Sequence, residues 1–256
     1  MYEKNLEKYR DRLFGLIDEA RIVCTEIPRP SKEIIEEYKK YAGDLTPTVS
    51  DVLDSMGIVG VISSSVLKPL QQGKTIIGPV VTLRYVFERK TTTQGFLEKN
   101  KGRLADRDAY AVAQPGDIVV FDLGGKCIST QGGLSSNVAA MTGIAGTICD
   151  GGVRDVEEIR DLGFPVWSRF ITPTSGKLRL EAAEINGAVV IDGVQVMPGD
   201  LCIADDNGIC FVPHDKIEAV LNQVIEHAAR EKRLMDVFHS GGSIAELLKI
   251  LPAAKW

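Results

Sequence analysis

Histidine is scarce in this chain of 256 residues, which contains His214, His227 and His239 and no others. Three histidines so far apart make a histidine-based metal site improbable on spacing alone. The five cysteines are odd in number and show no C-x-x-C spacing. Reduced thiols are therefore expected rather than disulfides or a zinc site.

Long apolar runs are also absent, and none approaches the roughly 20 residues that a membrane-spanning helix needs. The first residues, MYEKNLEKYRDR, are charged and lack the apolar segment of a signal peptide. The net charge of −5 offers no general attraction for nucleic acid or for an anionic membrane surface. We therefore expect a cytoplasmic protein that has neither nucleic acid nor a membrane as a partner.

Several common catalytic motifs are missing as well. The sequence has no G-x-G-x-x-G after a strand, no phosphate-binding P-loop and no G-x-S-x-G nucleophile motif. Nucleotide-binding and serine-hydrolase functions therefore have no motif to support them. The composition, with 44% apolar and 25% charged residues, is that of an ordinary globular protein with a buried core.

The amino-terminal part has helical patterns. Apolar residues from Leu6 to Ala20 fall on one helical face and predict a first helix. A second helix is predicted after Ser31, ending near Gly43. A third is predicted over 49–56, with Thr48 as a possible N-cap and Gly57 as the stop.

From about residue 58 the pattern changes to short β-rich runs separated by Gly, Pro, Asp and Asn. Two of these runs follow the same tripeptide, Pro-Gly-Asp at 115–117 and at 198–200, which is typical of a turn that enters a strand. Further helices are predicted over 134–142, 156–162, 215–238 and 243–251. Strands with helices between and around them predict an α/β layered domain.

One glycine-rich segment is a candidate binding site. Gly132, Gly133, Leu134 and Ser135 lead into the helix predicted over 134–142. Glycines allow a ligand to approach the backbone, and the first N–H groups of a helix lack internal partners, which suits a carboxylate or phosphate. A tight turn with no ligand explains the same residues equally well.

A second candidate follows the predicted strand IAGTICD. Arg154 can hold a carboxylate by two parallel hydrogen bonds, and Asp155 can hold a hard divalent cation that keeps water ligands. Together they suit a 2-oxo acid, whose enolate the cation would stabilise. The alternative is structural: Asp155 and Glu158 have the spacing of a capping box, and Arg154 would then be a surface residue.

Four motifs carry a resemblance to a known family. They are TPTVSDVLDSMG, PGDIVVFDLGG, DGGVRDVEEIRDLGFPV and VQVMPGDLCIADDNGICFVP, in that order between Thr46 and Pro213. The chain resembles the RraA-like family, which includes 4-hydroxy-4-methyl-2-oxoglutarate aldolases and regulators of ribonuclease E. The resemblance implies a swivelling β/β/α domain over 46–213. Largely outside it lie an amino-terminal helical extension (1–45) and carboxy-terminal helices (214–256), and we expect the latter to pack on the same domain or on a neighbouring subunit.

The resemblance also implies a site. In the aldolases an Arg-Asp pair, matching Arg154 and Asp155, binds the pyruvate carboxylate and the divalent metal, Mg²⁺ or Mn²⁺. Backbone amides matching Leu134 and Ser135 bind the substrate. Members form trimers, or hexamers of paired trimers, with sites between subunits, and a homotrimer or hexamer is expected here.

One position departs from the family pattern. The aldolases carry an Asp twenty-one positions before the Arg, in a D-x20-R-D pattern, and Gly133 stands there in this chain. The carboxylate that manages a proton is therefore missing at that position, and Asp122, Asp150 and Glu158 are candidates to replace it. Lys126 and Lys177 are candidates to bind a distal substrate carboxylate.

These observations predict a divalent-metal-dependent lyase that acts on a pyruvate-like 2-oxo acid by aldol cleavage, by oxaloacetate decarboxylation, or by both. The alternative is a non-catalytic regulator that binds a protein such as a ribonuclease. Gly133 favours the regulator and Asp155 favours the enzyme. A methyltransferase has no glycine-rich motif in its support.

Overall fold

A ten-stranded mixed sheet forms the centre of the fold in the computed structural model, which describes residues 2–250. Its main path runs β1-β12-β11-β3-β4-β6-β7-β2, with β5 beside β6 and β8 beside β3, while β9 and β10 form a separate hairpin. The strands are β1 (Val61–Ser63), β2 (Lys68–Pro69), β3 (Ile76–Phe87), β4 (Ile118–Asp122), β5 (Ser129–Gln131), β6 (Gly146–Val153), β7 (Val166–Ile171), β8 (Leu180–Ile185), β9 (Val189–Ile191), β10 (Val194–Val196), β11 (Leu201–Ala204) and β12 (Gly208–Val212).

Helices lie around this sheet and confirm the predicted α/β class. They are α1 (Lys32–Lys39), α2 (Leu45–Ser55), α3 (Thr92–Leu97), α4 (Asp106–Val112), α5 (Gly133–Thr142), α6 (Val156–Leu162), α7 (Ile217–His239) and α8 (Ile244–Ile250). Within residues 2–250 no helix is long and apolar enough to cross a membrane.

The two faces of the sheet are covered by different layers. Val81 and Val119 point to one face, where they share a buried cluster with Ala139 of α5 and Ile159 of α6. Their neighbours along the strands point to the other face, where Val80 and Ile118 join the β9–β10 hairpin. Both faces of β3 and β4 are therefore buried, which explains their nearly continuous apolar sequence.

The parallel part of the sheet positions the candidate site. Strands β3, β4, β6 and β7 are parallel neighbours, and β5 pairs in parallel with the end of β6. Because the carboxyl ends of parallel strands share one edge of a sheet, the segments that follow β5 and β6 emerge side by side. Those segments are the starts of α5 and α6.

The Pro-Gly-Asp turns are confirmed. Gly116 and Gly199 adopt φ angles of +92° and +91°, which an L side chain would strain. In each turn the aspartate accepts a backbone N–H three residues earlier, Asp117 from Gln114 and Asp200 from Met197, both at 2.8 Å.

The helix predicted from Leu6 to Ala20 is wrong. The structure has two short 3₁₀ turns there, Glu7–Tyr9 and Glu19–Arg21. Between them the buried carboxylate of Asp108 accepts the N–H groups of residues 14–16, and Gly15 adopts a φ of +66°. These hydrogen bonds take the place of the backbone hydrogen bonds of a helix. The helix-like spacing of apolar residues therefore belongs to an irregular segment that packs over the core.

The other predicted helices are present, α6 with the predicted bounds and the others with shifted ends. Helix α2 begins four residues before Val49, since Asp205 accepts hydrogen bonds from both the N–H and the hydroxyl of Thr46. Thr48 therefore lies inside the helix rather than at its N-cap. Helix α7 is buried in its first half alone, at Ile217, Val220, Leu221 and Val224. The predicted end of α8 at Leu251 lies outside the described residues.

Candidate functional site

A pocket of about 340 Å³ opens where α5 and α6 begin. It is lined by six of the residues that the sequence singled out, together with residues from α4 and from the loop that follows β7. The lining residues are Leu16, Gly102, Leu104, Asp106, Arg107, Ser129, Thr130, Gln131, Gly132, Leu134, Ser135, Arg154, Asp155, Ser175 and Lys177. The folded chain thus brings the Gly132–Ser135 segment and the Arg154–Asp155 pair into one cavity.

The Asp155 side chain contacts the start of α5 rather than the helix that follows it in sequence, α6. Its backbone has the left-handed angles φ +54° and ψ +40°, and its side chain makes no capping hydrogen bond to α6. Instead its Oδ2 accepts the N–H of Gly133 at 3.1 Å. The capping-box interpretation of Asp155 and Glu158 is therefore wrong, because the turn at Asp155 aims its carboxylate across to the neighbouring helix.

Arg154 lies on the same edge of the pocket. Its backbone N–H is held by the carbonyl of Gln131 at 3.0 Å, and its Nε lies 3.4 Å from Oδ2 of Asp155. About 45% of its side-chain surface remains exposed. The fork of the guanidinium is therefore open to an incoming carboxylate, which it can bind with two hydrogen bonds.

The two glycines are required for this arrangement. A Cβ at Gly132 would lie 2.5 Å from Oδ2 of Asp155 and 3.1 Å from Nε of Arg154. A side chain there would therefore push the Arg-Asp pair away from α5. In the same first turn of α5, the N–H groups of Leu134 and Ser135 have no acceptor inside the helix, which leaves them suited to an anionic group.

The sequence did not predict the two buried residues, Asp106 and Tyr110, that contact the Ser135 hydroxyl. The Ser135 hydroxyl donates to Oδ2 of Asp106 at 2.5 Å and lies 3.0 Å from the hydroxyl of Tyr110. Asp106 and Tyr110 are both buried. Burial raises the pKa of Asp106, and the hydrogen bond from Ser135 opposes that rise. Asp106 occurs in a D-R-D stretch that resembles a solvated charge run, so the sequence carried no signal for it.

The other candidate residues separate into two groups. Lys177 lines the pocket and can meet a distal anionic group of a ligand, whereas Lys126 is not among the lining residues. Asp150 is paired with Arg169 at 2.6 Å, and Asp122 accepts the N–H of Gly124 and is likewise absent from the lining. Glu158 is absent from the lining too, although its carboxylate lies beside Gly133. Asp122 and Asp150 therefore do not replace the carboxylate missing at position 133.

The residues present fit a divalent cation of one particular kind. Between residues 2 and 250, no cluster of three or more His, Cys, Asp or Glu side chains could hold a metal ion. Asp155 offers a half-exposed carboxylate. Its Oδ2 accepts the N–H of Gly133, which leaves Oδ1 for a cation. Mg²⁺ and Mn²⁺ accept such a site, since they bind through one or two carboxylates and complete their shell with water and ligand oxygens.

A larger groove, of about 670 Å³, lies elsewhere on the surface. Its acidic side chains are paired with its arginines: Glu88 with Arg103, and Glu181 with Arg21 and Arg103. This groove contains none of the predicted site residues, and its two glutamates leave an excess of positive charge, since Arg89, Lys90 and Lys101 also line it. The predicted site residues therefore lie in the smaller pocket.

Comparison with known proteins agrees with the fold and with the motifs. Residues 46–211 match the RraA-like family, described as Aldolase/RraA. The protein DlpA of Legionella pneumophila is 35% identical over 226 residues, which cover 86% of this chain and 35% of DlpA, so the chain spans about a third of that relative.

Two further proteins are similar over most of their own length. A Thermus thermophilus protein named 4-hydroxy-4-methyl-2-oxoglutarate aldolase is 30% identical over 138 residues, covering 53% of this chain and 74% of that protein. The crystal structure of Streptomyces coelicolor RraAS2, described as an unusual member of the RNase ES inhibitor RraA protein family, matches with a TM-score of 0.67 and 26% identity, covering 81% of this chain and 98% of that one. With a family match across 46–211 and the predicted α/β architecture in place, this chain belongs to the RraA-like family.

Proposed function

We propose that this protein is a Mg²⁺- or Mn²⁺-dependent lyase acting on a pyruvate-like 2-oxo acid. The reaction is aldol cleavage of a 4-hydroxy-2-oxo acid, decarboxylation of oxaloacetate, or both. The observation that carries the proposal is the position of Arg154 and Asp155 at the first turn of α5, where Oδ2 of Asp155 accepts the N–H of Gly133. The Thermus relative's name supports the same reaction class.

Each residue of the pair has a distinct task. Arg154 binds the substrate carboxylate through its guanidinium fork, and the free amides at the start of α5 bind a second anionic oxygen. Asp155 holds the divalent cation. When bound, the cation draws electron density from the 2-oxo group and so favours cleavage of the adjacent carbon–carbon bond.

The two reactions place different demands on the protein. In oxaloacetate decarboxylation the leaving carboxylate is already ionised, so no base is needed for cleavage. In aldol cleavage the 4-hydroxyl must lose its proton as the bond breaks, and a positioned base accelerates such a step by about 10²–10⁴-fold. Lys177 lines the pocket and suits the second carboxylate of a diacid substrate.

The alternative function is that of a regulator that binds a protein and turns over no substrate. Gly133 in place of the acidic residue of D-x20-R-D favours it, and so does the likeness to RraAS2, which is described as a member of an RNase ES inhibitor family. Asp155 argues against it, because a regulator has no need of an exposed carboxylate fixed beside an open arginine.

The experiment compares pyruvate release from oxaloacetate and from 4-hydroxy-4-methyl-2-oxoglutarate by the wild type and by Asp155→Ala. We expect turnover with Mg²⁺ or Mn²⁺, no turnover after chelation, and a loss of at least 100-fold in Asp155→Ala. Removing the Asp155 carboxylate also removes a cap on α5, at a cost of about 0.5–2 kcal/mol, so the variant should still fold.

Glu157→Ala is the matched control, since Glu157 is an exposed acidic residue on the same segment. It should keep the wild-type rate. Full activity in Asp155→Ala would refute the metal role of Asp155. A wild type that is inactive on both substrates with metal present would favour the regulator.

A further inference from the structure

The larger groove, of about 670 Å³, is basic in a protein that is acidic as a whole. Five cationic side chains and two carboxylates line it, whereas the chain has a net charge of −5. Positive charge gathered in a concave surface raises the local concentration of anions. The residues of this basic groove are Arg21, Val86, Phe87, Glu88, Arg89, Lys90, Asn100, Lys101, Arg103 and Glu181.

Two of its arginines are fixed by neighbouring groups. Arg103 donates through Nε to Glu88 at 2.9 Å, and its Nη1 lies 2.9 Å from a carboxylate oxygen of Glu181. Within residues 2–250, the hydrogen bonds of Arg21 use Nη1 alone, which leaves Nε and Nη2 for a ligand. The Arg21 and Arg103 side chains keep 43% and 47% of their surface exposed. Because their positions are already fixed, binding a ligand costs less side-chain entropy.

The other cations of the groove supply charge that the protein does not neutralise. Across the described part of the chain, neither Arg89 nor Lys101 has a carboxylate partner, and Lys90 is paired with the exposed Glu98 in a surface ion pair of little strength. The excess of three positive charges matches the charge of a diphosphate ester near neutral pH, which is about three negative charges. A 2-oxo monoacid would neutralise only a third of it.

The groove also presents apolar surface to its ligand. Phe87 is 53% exposed and Val86 is 40% exposed, and both stand at the end of β3. An inorganic anion has no use for such side chains, whereas a planar ring can stack on an aromatic face. The volume lies within the range of about 300–1,000 Å³ that is typical of small-molecule sites.

We propose that the basic groove is a second ligand site, which binds a phosphorylated small molecule with a planar ring, such as a nucleoside diphosphate. Arg89, Lys101 and the fixed arginines bind the phosphates, and Phe87 stacks on the ring. Side chains hold the phosphates in place of a P-loop, which the sequence lacks. Among the lining residues there is no Ser, Thr, Tyr, Cys or His, and both glutamates are paired with arginine, so the groove binds its ligand without converting it.

The basic groove is separate from the 2-oxo acid pocket, although the two are neighbours. No residue lines both. Lys101 and Arg103 line the groove, whereas Gly102 and Leu104 line the pocket, so one segment forms a wall between them. The N–H of Ala182 donates to the carbonyl of Arg103 at 2.8 Å and fixes this wall. Both cavities can therefore be occupied at once, and this inference does not depend on the proposed lyase function.

The test is calorimetric titration with ADP, pyrophosphate and adenosine in a buffer without divalent metal. ADP should bind at least tenfold more tightly than either of the others. The double variant Arg89→Gln with Lys101→Gln should bind ADP and pyrophosphate at least tenfold more weakly, and Phe87→Ser should weaken ADP alone. The double variant Lys39→Gln with Lys40→Gln is the matched control, since it removes the same charge from exposed side chains outside the groove. It should bind ADP as the wild type does.

Arg154→Ala separates the two cavities and should bind ADP as tightly as the wild type. Loss of ADP binding in Arg154→Ala would place the nucleotide in the 2-oxo acid pocket and overturn the inference. A wild type that does not bind ADP, or a groove variant that binds it no more weakly than the lysine control, would also overturn it. Single-stranded RNA that binds more tightly than ADP and loses affinity in the groove variant would indicate a nucleic-acid surface instead. Each of these results leaves the proposed lyase untouched.

Discussion

Two glycines determine which side chains can approach the start of α5. Gly132 leaves room for the Arg154–Asp155 pair, and Gly133 leaves room for Glu158. Asp155 immediately precedes α6 and Glu158 lies in its first turn, and each approaches backbone that an ordinary side chain would cover. The two glycines therefore allow charged groups to come close to the backbone. Their own backbone angles do not require glycine.

Asp106 should make the free energy of unfolding depend on pH. Burial raises its pKa, against the opposing effects of the Ser135 hydrogen bond and of Arg107. The folded protein therefore holds this proton more tightly than the unfolded chain does. The contribution of Asp106 to the free energy of unfolding should fall as the pH rises from about 4, the ordinary value for aspartate, through its raised pKa in the fold.

The measurement is urea unfolding of the wild type and of Asp106→Asn in steps from pH 4 to pH 8. Since the other groups titrate in both proteins, the wild-type free energy of unfolding minus that of the variant isolates Asp106. We expect this difference to decrease with rising pH. A difference that increases with pH would mean that the folded state favours the charged carboxylate.

The residues of the site differ in how far the sequence could predict them. Gly132–Ser135 could be singled out because glycines lead into a helical pattern. Arg154–Asp155 could be singled out because the pair stands between a β-rich run and a helical pattern, where binding groups often occur. Asp106 was not, since its contact with Ser135 joins segments 29 residues apart. Glu158 was one of three open candidates, and only the packing of α6 on α5 separates it from Asp122 and Asp150.

At the scale of elements, the parallel pairing of β5 with β6 brings two helix starts together. The sequence predicted both helices, and the structure has α6 at 156–162 as expected. It did not predict β5, a run of three residues, because a strand so short has no measurable alternation. The register between β5 and β6 is what places Gly133 within reach of Asp155.

In the amino-terminal segment the periodicity of apolar residues does not predict the secondary structure correctly. Apolar residues between Leu6 and Ala20 have helical spacing, yet Tyr9 and Ile17 are buried by a chain that follows the surface of the core. Asp108 decides the outcome, because its carboxylate takes three consecutive N–H groups that a helix would have used. A contact from a residue some 90 positions away cannot be read from local spacing.

At the scale of the whole molecule, the outer face of α5 carries apolar side chains without cover. Leu134 is 67% exposed and Met141 is 86% exposed, and they lie two turns apart on one side of the helix. Leu134 also lines the pocket. We propose that a neighbouring subunit packs on this face in a homotrimer, or in a hexamer of paired trimers, with closed rotational symmetry.

Light scattering with size-exclusion chromatography tests the assembly at micromolar concentration. The wild type should have the mass of three or six chains, and Met141→Glu should shift it toward the monomer and reduce turnover. Val59→Glu, at an exposed position in the segment before β1, is the control and should leave the mass unchanged. A stable wild-type monomer would refute the proposed assembly.

In the proposed function, Asp155 holds a divalent cation beside a substrate carboxylate bound by Arg154. Crystals of the wild type and of Asp155→Ala, each soaked with Mn²⁺ and oxalate, test it most directly through anomalous diffraction at the manganese edge. We expect a manganese peak at the Asp155 carboxylate, with oxalate between Mn²⁺ and the Arg154 guanidinium, and no peak there in Asp155→Ala. A peak that persists in Asp155→Ala, or oxalate bound away from Arg154, would contradict it.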